Sequence, residues 1–153
     1  MKKLLSLLIA VVSMFAFSGC LRFEDSFVAS QAVEQVAYIK VYYVEEAQTE
    51  LERFPEPMET LEETEFEALI QDIEELTYEI TMLLIAPAPS PNFAYDGYVV
   101  EIKYKDGGYD LVSSELRDSF FASGEFIKRM VGTHCDREIW LSTLQKYVEI
   151  SEE

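Results

Sequence analysis

The chain has 153 residues, with 29 Asp and Glu against 12 Lys and Arg, and a formal net charge of −17. That balance excludes a nucleic-acid binder, which needs a basic footprint. Its 49% hydrophobic and 13% aromatic residues exclude an acidic disordered chain. Two cysteines and one histidine exclude a disulfide-rich scaffold and fall short of a zinc ligand set.

Met1-Lys2-Lys3 opens the chain, and an apolar run from Leu4 to Phe17 follows, broken only by Ser6 and Ser13. Two lysines, a short apolar run and small residues at its end are the pattern of a secretory signal peptide. A helix over that run spans about 21 Å, short of the ~30 Å hydrocarbon core of a bilayer. Ser18-Gly19-Cys20 then resembles the lipobox of bacterial lipoproteins, with Phe17 standing where Leu is usual. The resemblance implies that residues 1–19 are removed and that Cys20 carries a thioether-linked diacylglycerol. It also implies anchoring at the extracytoplasmic face of the cell membrane or the outer membrane. Acyl chains contribute ~0.8 kcal/mol per buried methylene, so two or more hold a protein stably on a bilayer. Cleavage would remove Lys2 and Lys3, leaving 10 basic and 29 acidic residues, a net charge of −19 over 134 residues. Cys135 would then be the only free thiol.

Residues 20–35 read as the lipidated cysteine and a tether, and residues 36–153 as one folded domain. Residues 36–44 are β-branched and aromatic and predict a strand, with Ala37, Ile39, Val41 and Tyr43 facing the core. From Glu45 to Glu79 there are 14 acidic residues against one basic residue, Arg53. Thr64 and Glu67 have the spacing of a capping box, and Phe66, Leu69, Ile70, Ile73 and Leu76 then recur at helical spacing. These features predict an amphipathic helix over 64–76. Thr77 to Ile85 alternates as a strand, and the prolines at 87, 89 and 91 stop it.

Tyr98 to Tyr104, Asp106-Gly107 and Tyr109 to Val112 predict a hairpin with a two-residue turn. Its register would pair Tyr104 with Tyr109, Lys103 with Asp110, and Ile102 with Leu111. Residues 115–124 fit either a loop or a short helical turn. Phe126 to Val131 predicts a strand. Asp136 is placed to cap a closing helix over 137–148, whose apolar stripe is Ile139, Trp140, Leu144, Tyr147 and Val148. The order predicts an α+β fold: a mainly antiparallel sheet of about four to five strands, covered by two helices on one face. The tyrosine-rich hairpin followed by Cys135-Asp136 and Trp140 resembles the carboxyl ends of small bacterial lipoproteins, a likeness that brings no activity with it.

His134-Cys135-Asp136 brings together a base, a nucleophile and a carboxylate, and a helix N-terminus lowers a thiol pKa. The plainer reading is that Asp136 caps the helix while Cys135 packs as a small hydrophobe. The acidic stretch reads as a solvated face, its first-turn carboxylates favoured by the helix dipole. Asp106 to Asp110 lacks the ligand spacing of a calcium loop. Tyr42, Tyr43, Tyr95, Tyr98, Tyr104 and Tyr109 suit either a binding face or a half-buried sheet. Glu62, Glu63, Glu74, Glu75, Tyr104 and Tyr109 are therefore the candidate partner-binding residues. No catalytic residue, metal or cofactor is expected.

These readings favour a membrane-anchored binding or interaction module. A thiol-dependent envelope enzyme using Cys135 remains an alternative. So does a structural or immunity-type lipoprotein meeting a basic protein or peptide through residues 45–79. Replacing Cys20 with alanine is expected to move the protein from the membrane fraction to the soluble fraction. Continued membrane retention of Cys20→Ala would remove the lipid anchor from consideration.

Overall fold

A computed structural model of the chain describes residues 23–80, 82–85, 94–131 and 135–150. The segment 1–19, Cys20, the proline-rich stretch 86–92 and His134 lie outside the described residues. The fold is α+β. Among the described residues the strands are β1 (Phe23–Ser26), β2 (Val36–Gln48), β3 (Glu59–Thr60), β4 (Thr77–Ile80), β5 (Met82–Ile85), β6 (Tyr95–Tyr104), β7 (Tyr109–Val112), β8 (Leu116–Phe120) and β9 (Phe126–Val131). The helices are α1 (Phe66–Glu74) and α2 (Arg137–Leu144).

Seven strands form one sheet in the order β3-β2-β6-β7-β8-β9-β5, and every pairing in it is antiparallel. Five strands, β2, β6, β7, β8 and β9, make its body; the two-residue β3 and the four-residue β5 extend its edges beyond the expected four to five strands. The ambiguous segment 115–124 supplies β8, whereas Phe126 to Val131 is a strand over the expected residues.

Thr77 to Ile85 does not run as one strand. Its first half, β4, pairs with β1 in a separate two-stranded sheet, while its second half, β5, pairs with β9. Residues 23–35 consequently do not behave as a tether. They pair as β1, bury Phe27, and are bonded across the domain at several points.

The large sheet is buried on both faces. Ile39, Val41, Val100, Ile102, Tyr104 and Val112 share one core with Phe66, Leu69, Ile70 and Ile73 of α1 and with Trp140 and Leu144 of α2. Tyr42, Val44, Val99, Leu111 and Leu116 form a second core, against which Leu51 and Phe54 pack. Each fully buried large apolar side chain stabilises the fold by roughly 2 kcal/mol. Ala37 is exposed rather than core-facing, because the β2–β6 register jumps between Val36 and Tyr38 and leaves Ala37 on the bulge.

The helix starts also shift. Glu65 returns its carboxylate to the Glu62 amide at 3.0 Å, so the reciprocal cap sits two residues before the expected Thr64–Glu67 box. Glu67 instead accepts from Gln71 along the helix at 3.2 Å. Asp136 caps α2 as its position predicts, accepting from the Glu138 amide at 2.9 Å. Ile139 of the expected apolar stripe is 51% exposed, whereas Trp140, Leu144 and Val148 are buried.

The hairpin between β6 and β7 differs from its expected register by one residue. Lys103 faces Tyr109, Ile102 faces Asp110, and Glu101 faces Leu111. The turn is longer than Asp106-Gly107 alone. The Gly107 amide donates to Tyr104 at 2.9 Å, Gly107 takes φ of +92°, and the Tyr104 amide donates to Gly108 at 2.9 Å. A turn closed by a left-handed glycine absorbs one extra residue. A one-residue slip exchanges the two faces of a strand. Leu111 therefore joins the second core, and Asp110 is carried inside, fully buried on the face of Ile102.

There Asp110 accepts from the Ser30 amide at 2.8 Å, from the Ser30 hydroxyl and from the Tyr104 hydroxyl. A buried carboxylate is tolerated only when hydrogen bonds replace its water. Asp110→Ala leaves the Tyr104 hydroxyl and the Ser30 amide without that acceptor. It is expected to lower stability by about 3 kcal/mol, read as a fall in the urea midpoint. A loss under about 1 kcal/mol would show that these bonds do not hold the segment.

Candidate functional site

Near one end the two longest described strands, β2 and β6, fall out of register. Between the pairs Val44–Gly97 and Gln48–Tyr95, β2 runs four residues while β6 runs two. Gly97 takes φ of +67°, a left-handed conformation that glycine adopts without a Cβ clash. A bulge bends its strand and re-aims side chains locally. Beside this irregularity lies a cleft of about 240 Å³.

Two layers of side chains line the cleft. Tyr43 and Tyr98 are cross-strand partners, half-buried, with ring centroids 4.9 Å apart and planes tilted by 48°. Trp140 of α2 lies against them and donates its indole N–H to the Tyr98 carbonyl at 3.2 Å. Glu45, Asp96, Glu115 and Arg137 surround these rings, all exposed.

Cys135 does not line this cleft. It is 4% exposed, packs in the first core, and its amide donates to Ser114 at 3.1 Å. Burial pushes its thiol up, the Asp136 carboxylate adds to that, and Arg117 opposes it. A nucleophilic thiol needs the opposite environment, exposed and electropositive. The arrangement matches a packed small hydrophobe rather than an activated nucleophile.

The acidic segment is a surface. Of its 14 carboxylates ten are exposed, Glu62, Glu63 and Glu75 among them. Glu74 is not available in the same way, since its carboxylate accepts from the Ala29 amide at 2.9 Å. Asp72 is likewise used internally: Lys146 and the Tyr147 hydroxyl reach it at 2.9 and 2.6 Å, joining α1 to the end of the chain after α2.

The tyrosine candidates divide. Tyr104 is 2% exposed with its hydroxyl committed to Asp110, so it is a core residue and not a partner-binding one. Tyr109 is half-buried, stacked on Phe120 at 4.6 Å, with the Lys103 ammonium 4.7 Å from its ring. Three buried carboxylates escape a reading by sequence pattern: Glu101, Asp110 and Asp118. Each accepts from tyrosine hydroxyls. Tyr38 and Tyr42 reach Glu101 at 3.1 and 2.7 Å, Tyr104 reaches Asp110, and Tyr95 reaches Asp118 at 2.6 Å. A signal for Glu101 exists in the sequence, an acid set inside the apolar run 99–102. Nothing local marks Asp96, Glu115 or Arg137 as neighbours, because they come from three separate elements.

Among the described residues, no group of three or more His, Cys, Asp or Glu side chains is arranged to hold a metal ion. No family model matches the chain, and neither does any curated protein or solved structure.

The tyrosine–carboxylate bonds make a pH prediction. Burial, reinforced by the Glu101 carboxylate, pushes Tyr38 up to about 12 from the ordinary 10.0. Burial, then the charges of Glu52, Glu101 and Asp118, pushes Tyr109 up to about 12. Tyr42, Tyr78 and Tyr104 are pushed up as well, by burial first. A phenol held protonated in the fold stabilises it fully below the unfolded value and loses that contribution as pH rises through the folded one. Stability is therefore expected to fall as pH climbs from 10.0 toward about 12. Phenolate absorbance should appear together with cooperative unfolding; smooth ionisation of every tyrosine near the ordinary value in a still-folded chain would contradict this.

Proposed function

We propose that this chain is a lipid-anchored, extracytoplasmic protein without catalytic chemistry, whose domain engages a cationic protein or peptide through the exposed carboxylates of residues 45–79. The observation that carries the interaction role is the surface itself: ten exposed carboxylates in a 35-residue stretch with Arg53 as its one basic residue. Arg53 is already paired with Glu50 at 2.9 Å. Such a field speeds encounter with an oppositely charged partner and weakens as salt rises.

The anchor rests on the pattern Met1 to Cys20. Among the described residues no helix is long and apolar enough to cross a membrane. Only Leu21 and Arg22 separate Cys20 from β1, a reach of no more than about 11 Å between Cys20 and Phe23. A lipid on Cys20 would therefore hold the domain close against the bilayer, while anionic headgroups repel its acidic surface. We further infer that α1 and α2 cover the same sheet face. Their buried residues share one core with Ile39 and Ile102, and the other face is left to the segment around Phe54. A thiol-dependent reaction gains no support from a buried Cys135 with a raised thiol pKa.

The interaction role is tested with the triple variant E63Q/E67Q/E75Q, which touches none of the internal bonds of Glu62, Glu65, Asp72 or Glu74. Glu67 contributes only an exposed bond to Gln71. The unaltered protein should bind a lysine- and arginine-rich peptide with an affinity that falls with salt. The variant should bind about tenfold more weakly with an unchanged urea midpoint. Equal binding by the variant would overturn the assignment to this surface.

A further inference from the structure

The cleft beside Trp140 has a chemistry of its own. Half-buried Tyr43 and Tyr98 line it, and its rim carries Glu45, Asp96 and Glu115 against Arg137, a local excess of acid. Among the described residues, none of these four charged side chains forms a hydrogen bond or ion pair. An anionic ligand would meet three carboxylates. A neutral ligand would desolvate three carboxylates with only Arg137 to balance them, which is costly.

We propose that the cleft receives the guanidinium group of an arginine carried by the cationic partner; this deepens the interaction role above and rests on it. A guanidinium is planar and weakly hydrated, stacks on aromatic faces, and donates paired N–H bonds to carboxylates. The cleft offers both surfaces at once. Within the same fold the Arg117 guanidinium already lies 4.2 Å from the Tyr78 ring centroid, so this pairing recurs in the chain's own packing. At about 240 Å³ the cleft falls below the roughly 300–1,000 Å³ of sites that enclose drug-sized ligands, which suits a single side chain. The irregularity in β2 sits beside the site: it begins just past the Val44–Gly97 pair that follows Tyr43 and Tyr98, and Glu45 lies at the rim.

Trp140 is the chain's only tryptophan and lines the cleft, so its emission reports occupancy. The full chain in detergent is titrated with tri-arginine, tri-lysine and tri-citrulline peptides, the last a neutral isostere. Tri-arginine should change Trp140 emission saturably, tri-lysine should bind about tenfold more weakly, and tri-citrulline should leave it unchanged. The double variant D96N/E115Q should lose about tenfold in tri-arginine affinity at an unchanged urea midpoint. Equal affinity of this variant would overturn the proposal. So would tri-arginine binding by equilibrium dialysis with Trp140 emission unmoved; in that case the acidic surface alone would be the binding site and the interaction role would stand. Absence of binding by any cationic peptide would instead remove the interaction role and this inference with it.

Discussion

A single buried carboxylate ties the fold together. Asp110 lies inside the sheet and accepts from Ser30 twice and from Tyr104 once. Through Ser30 it draws residues 27–35 across the domain, where Phe27 enters the core and Ala29 donates to Glu74 of α1. Gln31 reaches Asp106 at the hairpin turn, and the Lys105 ammonium reaches the Glu34 carbonyl. The strand β1 is carried along and pairs with β4. Hence residues 23–35 are part of the domain rather than a leash to it. The burial of this carboxylate is offset by three donors, two of them from Ser30.

The same device recurs on the opposite face, where Glu101 and Asp118 sit among Tyr38, Tyr42 and Tyr95. A phenol suits this task because its ring contributes to the apolar core while its hydroxyl donates to the acid. Among the described residues the aromatic side chains are buried or half-buried, with Phe121 exposed. Phe54 packs edge-on to both Tyr42 and Tyr95, with centroids 5.4 and 5.7 Å away, and so closes the second core. The acidic character splits accordingly. A few carboxylates are internal and capped by phenols, whereas most of residues 45–79 remain in solvent, where ionised groups keep their hydration.

This division bears on the proposed interaction role. Residues 97–148 hold 7 basic and 8 acidic residues, so the surplus negative charge belongs to one side of the chain's surface chemistry, the approach to α1 and α1 itself. The cleft at the β2 bulge adjoins that surplus through Glu45, the residue at which the acidic segment begins. A broad field for attraction and a small aromatic recess for selection are complementary, because long-range charge governs encounter while close packing and paired hydrogen bonds govern which side chain stays.

Local physics determined much of this protein in advance. The amphipathic run of α1, the Asp136 cap, the strand at 126–131 and the acidic character of 45–79 depend on neighbours within a few residues. Periodicity and capping act over that range and can be read directly. The tertiary structure decided the hairpin register, the division of 77–85 between two sheets, the folding of 23–35 and the assembly of the cleft. Each depends on a partner distant in the chain: Ser30 for Asp110, β1 for β4, Asp96 and Arg137 for Glu45. The register shows why. Local pairing made either alignment of Tyr104 and Tyr109 acceptable, but Gly107 could take the left-handed turn, and Asp110 found donors 80 residues away that paid for its burial.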